Sequence, residues 1–129
     1  MGNTMATDIG ALARSFFDAI ERGDIEAVRA IYTPDAVIWH NTDGLENTVE
    51  ENLGVLTGFV QAIPTRRYEN RRLEVFADGF VQQHVLHGVN RKGKALTLAA
   101  VLVCKVANGR ITRLDEYFDS AALASWMEP

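Results

Sequence analysis

Asn108-Gly109-Arg110-Ile111-Thr112-Arg113-Leu114-Asp115-Glu116-Tyr117-Phe118-Asp119 contains a turn, a strand and a carboxylate in unusual company. Asn-Gly is a strong hairpin signal, because both central residues of a type I′ turn need positive φ. Strict alternation follows. Thr112, Leu114, Glu116 and Phe118 share one side; Arg113, Asp115 and Tyr117 share the other. Leu114 and Phe118 mark the first side as the apolar one, so Glu116 is expected to face the interior. A carboxylate among apolar neighbours is poised for acid–base work. The competing reading pairs Glu116 with an arginine on the sheet surface, such as Arg72.

Working backward from that strand, the period stays at two. Strand-like runs cover Arg66–Ala77, Phe80–Asn90 and Ala95–Val106, joined at Asp78-Gly79, at Arg91–Lys94 and at Asn108-Gly109. Such short connections imply antiparallel neighbours. The first half reads as helical. Ile9, Leu12, Ala13, Phe16, Phe17 and Ile20 recur at helical spacing, and Gly23 ends that helix. Asp24 caps a second one, which Thr33-Pro34-Asp35 breaks. Ala36–His40 is a short strand, Asn41–Asn47 a polar loop, and Thr48-Val49-Glu50-Glu51 a capping box that opens a third helix stopping before Pro64. A final short helix is expected over Ser120–Met127, capped by Asp119 or Ser120. The expectation is one α+β domain over residues 1–129, residues 1–7 frayed. A cone-shaped, curved antiparallel sheet wraps around the N-terminal helices and encloses an apolar cavity.

The bulk numbers exclude several classes. Hydrophobic residues make up 47% of the 129, and the formal charge is −4, which gives no drive toward nucleic acid or anionic membranes. No apolar stretch is long enough to span a bilayer. The single cysteine, Cys104, lies in the apolar run Leu98–Val106 and reads as a buried hydrophobe. The polar Met1–Thr7 lacks signal-peptide character, so a cytoplasmic location is expected. The run Leu96–Val103 is apolar on both faces, which suggests a homodimer through the sheet. No metal or cofactor motif is found: His84 and His87 point to opposite faces of a strand and cannot chelate together. Arg66-Arg67 and Arg71-Arg72, beside Glu69 and Glu74, read as a solvated face.

The order helix–helix–strand–helix–meander resembles the nuclear transport factor 2-like superfamily, and most of all its SnoaL-like branch of polyketide cyclases and their relatives. The resemblance runs from about Thr7 to Trp126. It is carried by Asn108–Asp119, with its acidic-Tyr-Phe-Asp ending, and by Tyr32-Thr33-Pro34-Asp35-Ala36-Val37-Ile38-Trp39-His40-Asn41. Limonene epoxide hydrolases of this superfamily carry a catalytic aspartate in a Trp-Arg-Asp-Tyr-Phe-Asp stretch. Leu114-Asp115-Glu116-Tyr117-Phe118-Asp119 stands in its place, which implies Glu116 as the catalytic carboxylate. Their Arg-x-Asp pair matches His84-x-Leu86, so epoxide hydrolysis is disfavoured. Alternation alone does not choose between His84 and His87 for the inner face, nor between Trp39 and His40. The resemblance points to Glu116 and His84 as an acid–base pair. Trp39, His40, Tyr32, Phe16, Leu86, Leu114 and His87 are the candidate pocket residues. The function implied is cofactor-free isomerisation, dehydration or cyclisation of a small hydrophobic or polyketide-like molecule. The alternative is a non-catalytic ligand-binding or dimeric interaction module.

Overall fold

The structure, a computed structural model, describes residues 6–126. Helix α1 (Ala6–Arg22) buries Ile9, Ala13, Phe16, Phe17 and Ile20, the stripe the sequence spacing selects. It already includes Ala6 and Thr7, two of the seven residues expected to fray; Met1–Met5 and Met127 lie outside the described residues. Gly23, at φ 75°, closes the helix: its amide donates to the Ile20 carbonyl (3.0 Å) and that of Asp24 to Ala19 (2.9 Å). This is the paired bonding of a Schellman end, which needs the left-handed residue. Asp24 then caps α2 (Ile25–Ile31) by accepting from the Ala27 amide at 3.1 Å.

Strand β1 (Tyr32–His40) is longer than its expected Ala36–His40 core. Tyr32 already pairs with Ile111, and an irregularity between Tyr32 and Val37 absorbs Pro34, which has no amide to give a ladder. The polar loop carries a two-residue strand, β2 (Glu46–Asn47), paired to Ile38 and Trp39. Helix α3 (Val49–Ala62) opens on the anticipated box. The Thr48 hydroxyl accepts from the Glu51 amide at 3.2 Å, and the Glu51 carboxylate accepts from the Thr48 amide at 2.8 Å.

Strands β3 (Thr65–Phe76), β4 (Gly79–Val89), β5 (Ala95–Ala107) and β6 (Arg110–Phe118) form the antiparallel meander, and α4 (Ser120–Trp126) follows, its Ala121 amide bonded to Asp119 at 2.9 Å. The sheet as a whole is mixed rather than antiparallel. Its order is β2-β1-β6-β5-β4-β3, with β1 parallel to β6. The turns differ in kind. Asn108-Gly109 has both residues at positive φ (53° and 76°), as a type I′ turn requires. The Asp78-Gly79 expectation needs correcting. Gly79 pairs with Phe76, so the loop is Ala77-Asp78 and Gly79 lies in the strand. A Cβ there would stand 2.0 Å from the Cys104 carbonyl oxygen, so the glycine serves close backbone approach.

The arginines also depart from expectation. Arg66 is not solvated: it donates to the carbonyls of Ile20, Glu21, Val60 and Ile63 (2.6–3.4 Å), tying the C-terminal ends of α1 and α3 to β3. A bulge at Asn70 (φ 55°) re-aims Arg71 toward Asp18 and Glu21 at 2.8 and 3.1 Å. Two core clusters result, one under α1 and one where Trp126 packs on Ile63, Leu86 and Leu98. Gly88 makes room for the indole, since a Cβ there would lie 2.4 Å from it. Among the described residues, no helix is long and apolar enough to cross a membrane.

Candidate functional site

Between the inner face of the sheet and the helices lies a cavity of about 180 Å³. Phe16, Tyr32, His40, His84, Leu86, Leu114 and Glu116 all line it, seven of the nine sequence-selected site residues. The other two are corrected. Trp39 alternates outward on β1 and stacks edge-on against Tyr117, ring centroids 5.2 Å apart. His87 faces the outer side of β4, where its Nε2 meets Glu69 at 3.0 Å. Strand parity thus resolves both open choices: His84 rather than His87, and His40 rather than Trp39, point inward.

The pairing within the cavity also differs from expectation. The ring that meets Glu116 belongs to His40, with Nε2 3.2 Å from Oε1. Parallel pairing explains it. His40 and Glu116 are register partners across β1 and β6, and side chains of paired residues emerge on the same face. Asn41 fixes that register. Its amide donates to the Glu116 carbonyl (3.0 Å), its side-chain amide donates to the Phe118 carbonyl (3.1 Å), and its side-chain oxygen accepts from the Phe118 amide (3.0 Å). The hydrogen bond to Glu116 raises the pKa of His40 above 6.5, against the opposing pull of burial. The pair therefore favours the imidazolium form of His40.

His84 is bonded elsewhere. Its Nδ1 lies 2.9 Å from the side-chain nitrogen of Gln82, and its ring packs against Tyr68 and Phe17 with centroids 4.4 and 5.2 Å away. Burial pushes its pKa down to about 4, although the nearby Glu116 charge pulls the other way. His84 is thus a neutral ring at ordinary pH, whereas His40 is biased toward the cation. Burial likewise raises the phenols of Tyr32 and Tyr68, so both remain protonated donors.

Tyr68, Asn52 and Gln82 escaped the sequence reading. Tyr68 stands among arginines and glutamates on β3, and only an aromatic ring amid those charges could have flagged it. Gln82 is 1% exposed, yet a glutamine within an alternating strand carries no inward signal.

The SnoaL-like domain model matches residues 13–114. The chain belongs to the SnoaL-like family. AclR from Streptomyces galilaeus, a candidate hydroxylase, superposes on this SnoaL-like chain with a TM-score of 0.85 at 14% identity, covering 95% of this chain and 82% of its own. A candidate polyketide cyclase from Xanthomonas campestris pv. campestris gives 0.83 at 17% identity, over 95% and 98%. An epoxide hydrolase of M. tuberculosis, LEH-like, gives 0.76 at 16% identity, over 95% and 90%. At these identities the neighbours share the α+β fold alone; the reaction does not follow from it. No curated protein sequence matches the chain.

Proposed function

We propose that this SnoaL-like protein is a cofactor-free enzyme that moves a proton on a small, largely apolar carbonyl compound. The observation that carries the reading is the His40–Glu116 pair opening onto an apolar cavity that also presents Tyr32, Tyr68 and His84. Glu116 takes a proton from the carbon beside a carbonyl, and the C–H electron pair moves to the carbonyl oxygen. The resulting enolate is reprotonated at another carbon, attacks a second carbonyl, or expels a β-hydroxyl as water with a proton from His40. These are isomerisation, cyclisation and dehydration. All three need a carboxylate, a nearby acid and donors for the developing oxyanion. Among the described lining residues Glu116 is the single carboxylate and no guanidinium is present, which speaks against epoxide opening by an Arg-assisted carboxylate pair. The polyketide cyclase character of the Xanthomonas neighbour fits the same class of substrate.

A second copy of the chain is the proposed partner. Val85, Val101 and Val103 form a half-buried apolar strip on the outer sheet face, beside the exposed Tyr117. Charges of both signs flank it, Arg67 and Glu69 on one side and Arg113 and Asp115 on the other. A two-fold axis through the strip would bring these mixed-charge flanks together at its rim, where unlike charges can pair. Sedimentation should give twice the chain mass, and a charge placed at Val101 should return it to a monomer.

The enzymatic reading is tested by exchange of α-protons of small cyclic ketones in D₂O, followed by NMR. Wild-type protein is expected to catalyse it, and Glu116→Gln to lose about 100-fold or more of the rate. Equal rates would overturn the catalytic role. If ketones bound without any exchange, the cavity would be that of a non-catalytic binder.

A further inference from the structure

Gln82 has no part in the proton transfer just described, yet it is a fully buried polar side chain behind His84, one of the residues that line the cavity. Such a group is costly unless bonded. It stands two residues before His84 on β4, on the same face, and its side-chain nitrogen is 2.9 Å from His84 Nδ1. We infer that Gln82 is a positioning residue that holds His84 as the neutral Nε2–H tautomer, giving the cavity a fixed donor for a ligand's carbonyl or enolate oxygen.

The argument is one of proton accounting. With its nitrogen turned toward the ring, the carboxamide donates and Nδ1 accepts. In a neutral ring the remaining proton then sits on Nε2. Tyr68 against the ring at 4.4 Å and Phe17 edge-on at 5.2 Å hold its plane, and the bond from Gln82 selects which nitrogen faces the carboxamide. The charged groups that reach His84 are Glu116 from β6 and Arg71 from β3, and they oppose one another. Burial outweighs both and keeps the ring neutral. The hydroxyls of Tyr32 and Tyr68 line the same cavity and are bonded to no described residue. His84, Tyr32 and Tyr68 thus offer neutral donors to the same cavity, and a ligand offering an N–H or ammonium meets no acceptor from His84. This ligand preference rests on the cavity being the ligand site.

Nitrogen NMR of protein labelled at histidine with ¹⁵N tests the assignment without any ligand. His84 should show a protonated Nε2 and a bare Nδ1, with no titration until pH falls to about 4. In Gln82→Glu the carboxylate accepts instead, so the proton should move to Nδ1 and the titration rise by at least about one pH unit. In Gln82→Leu the two tautomers should mix. An Nδ1–H ring in the wild type, or a tautomer indifferent to both variants, would overturn the inference. The binding arm compares 1-indanone with indane, which has the same shape and lacks the oxygen. Wild type should prefer the ketone by about tenfold, and Gln82→Glu should bring the two near parity. If the tautomer is as stated but neither molecule binds, the positioning role of Gln82 stands and the ligand-site reading falls.

Discussion

Among the described residues, two histidine–glutamate pairs of nearly equal length stand on opposite faces of one sheet. His40 meets Glu116 at 3.2 Å on the inner face; His87 meets Glu69 at 3.0 Å on the outer. Their surroundings separate them. The inner pair borders a cavity walled by Leu114, Phe118 and Tyr32. In the outer pair Glu69 also accepts from Arg67 at 2.6 Å, with its side chain 38% exposed. Its charge is therefore shared with a guanidinium and screened by water. Distance alone would rank the outer pair first. What makes a pair chemically useful is having fewer competing partners and less contact with water, which is a property of the face and not of the two residues.

The largest test of this contrast adds the third histidine. His84, inside, has its pKa lowered to about 4 from 6.5, so the unfolded chain binds a proton that the folded chain refuses. Its stabilising effect is complete above pH 6.5 and is lost as pH falls toward 4, on the order of 3 kcal/mol. Urea midpoints at pH 7 and pH 4 should show wild type losing that much more than His84→Phe. A smaller and opposite effect belongs to His40. Its raised pKa means the bond to Glu116 stabilises fully below pH 6.5 and fades as pH climbs through the higher folded value. Replacing it by glutamine should flatten stability above pH 6.5 and shift the basic limb of any rate profile. Least of all should happen outside: Glu69→Gln or His87→Gln should change stability by less than about 0.5 kcal/mol and leave ketone exchange untouched. A large loss from either would erase the distinction between the faces.

Much of this was legible in the sequence. Alternation placed Glu116 beside Leu114 and Phe118, and the spacing of Ile9 to Ile20 chose the buried stripe of α1. Alternation failed where a bulge intervened. The register shifts between Lys105 and Val106, so Ile111 and not Thr112 is buried alongside Leu114. It also failed where residues distant in sequence meet. Periodicity within β1 or β6 says nothing of the parallel contact between them, so His40 could not be matched to Glu116. Arg66 misled for a different reason: its neighbours are charged and exposed, while its own partners are helix-end carbonyls that no pattern of side chains announces.

That parallel contact has a consequence in time. β1 is among the first strands to be synthesised and β6 is the last, and neither holds the site alone. A growing chain can complete α1, α3 and three strands of the meander while His40 still lacks its carboxylate. Joining them closes the longest loop in the sheet, the kind of contact that forms late because its entropy must be met before it is rewarded. The inner histidine–glutamate pair would then come into being only with the finished fold, and an incomplete chain would present a half-formed cone without it.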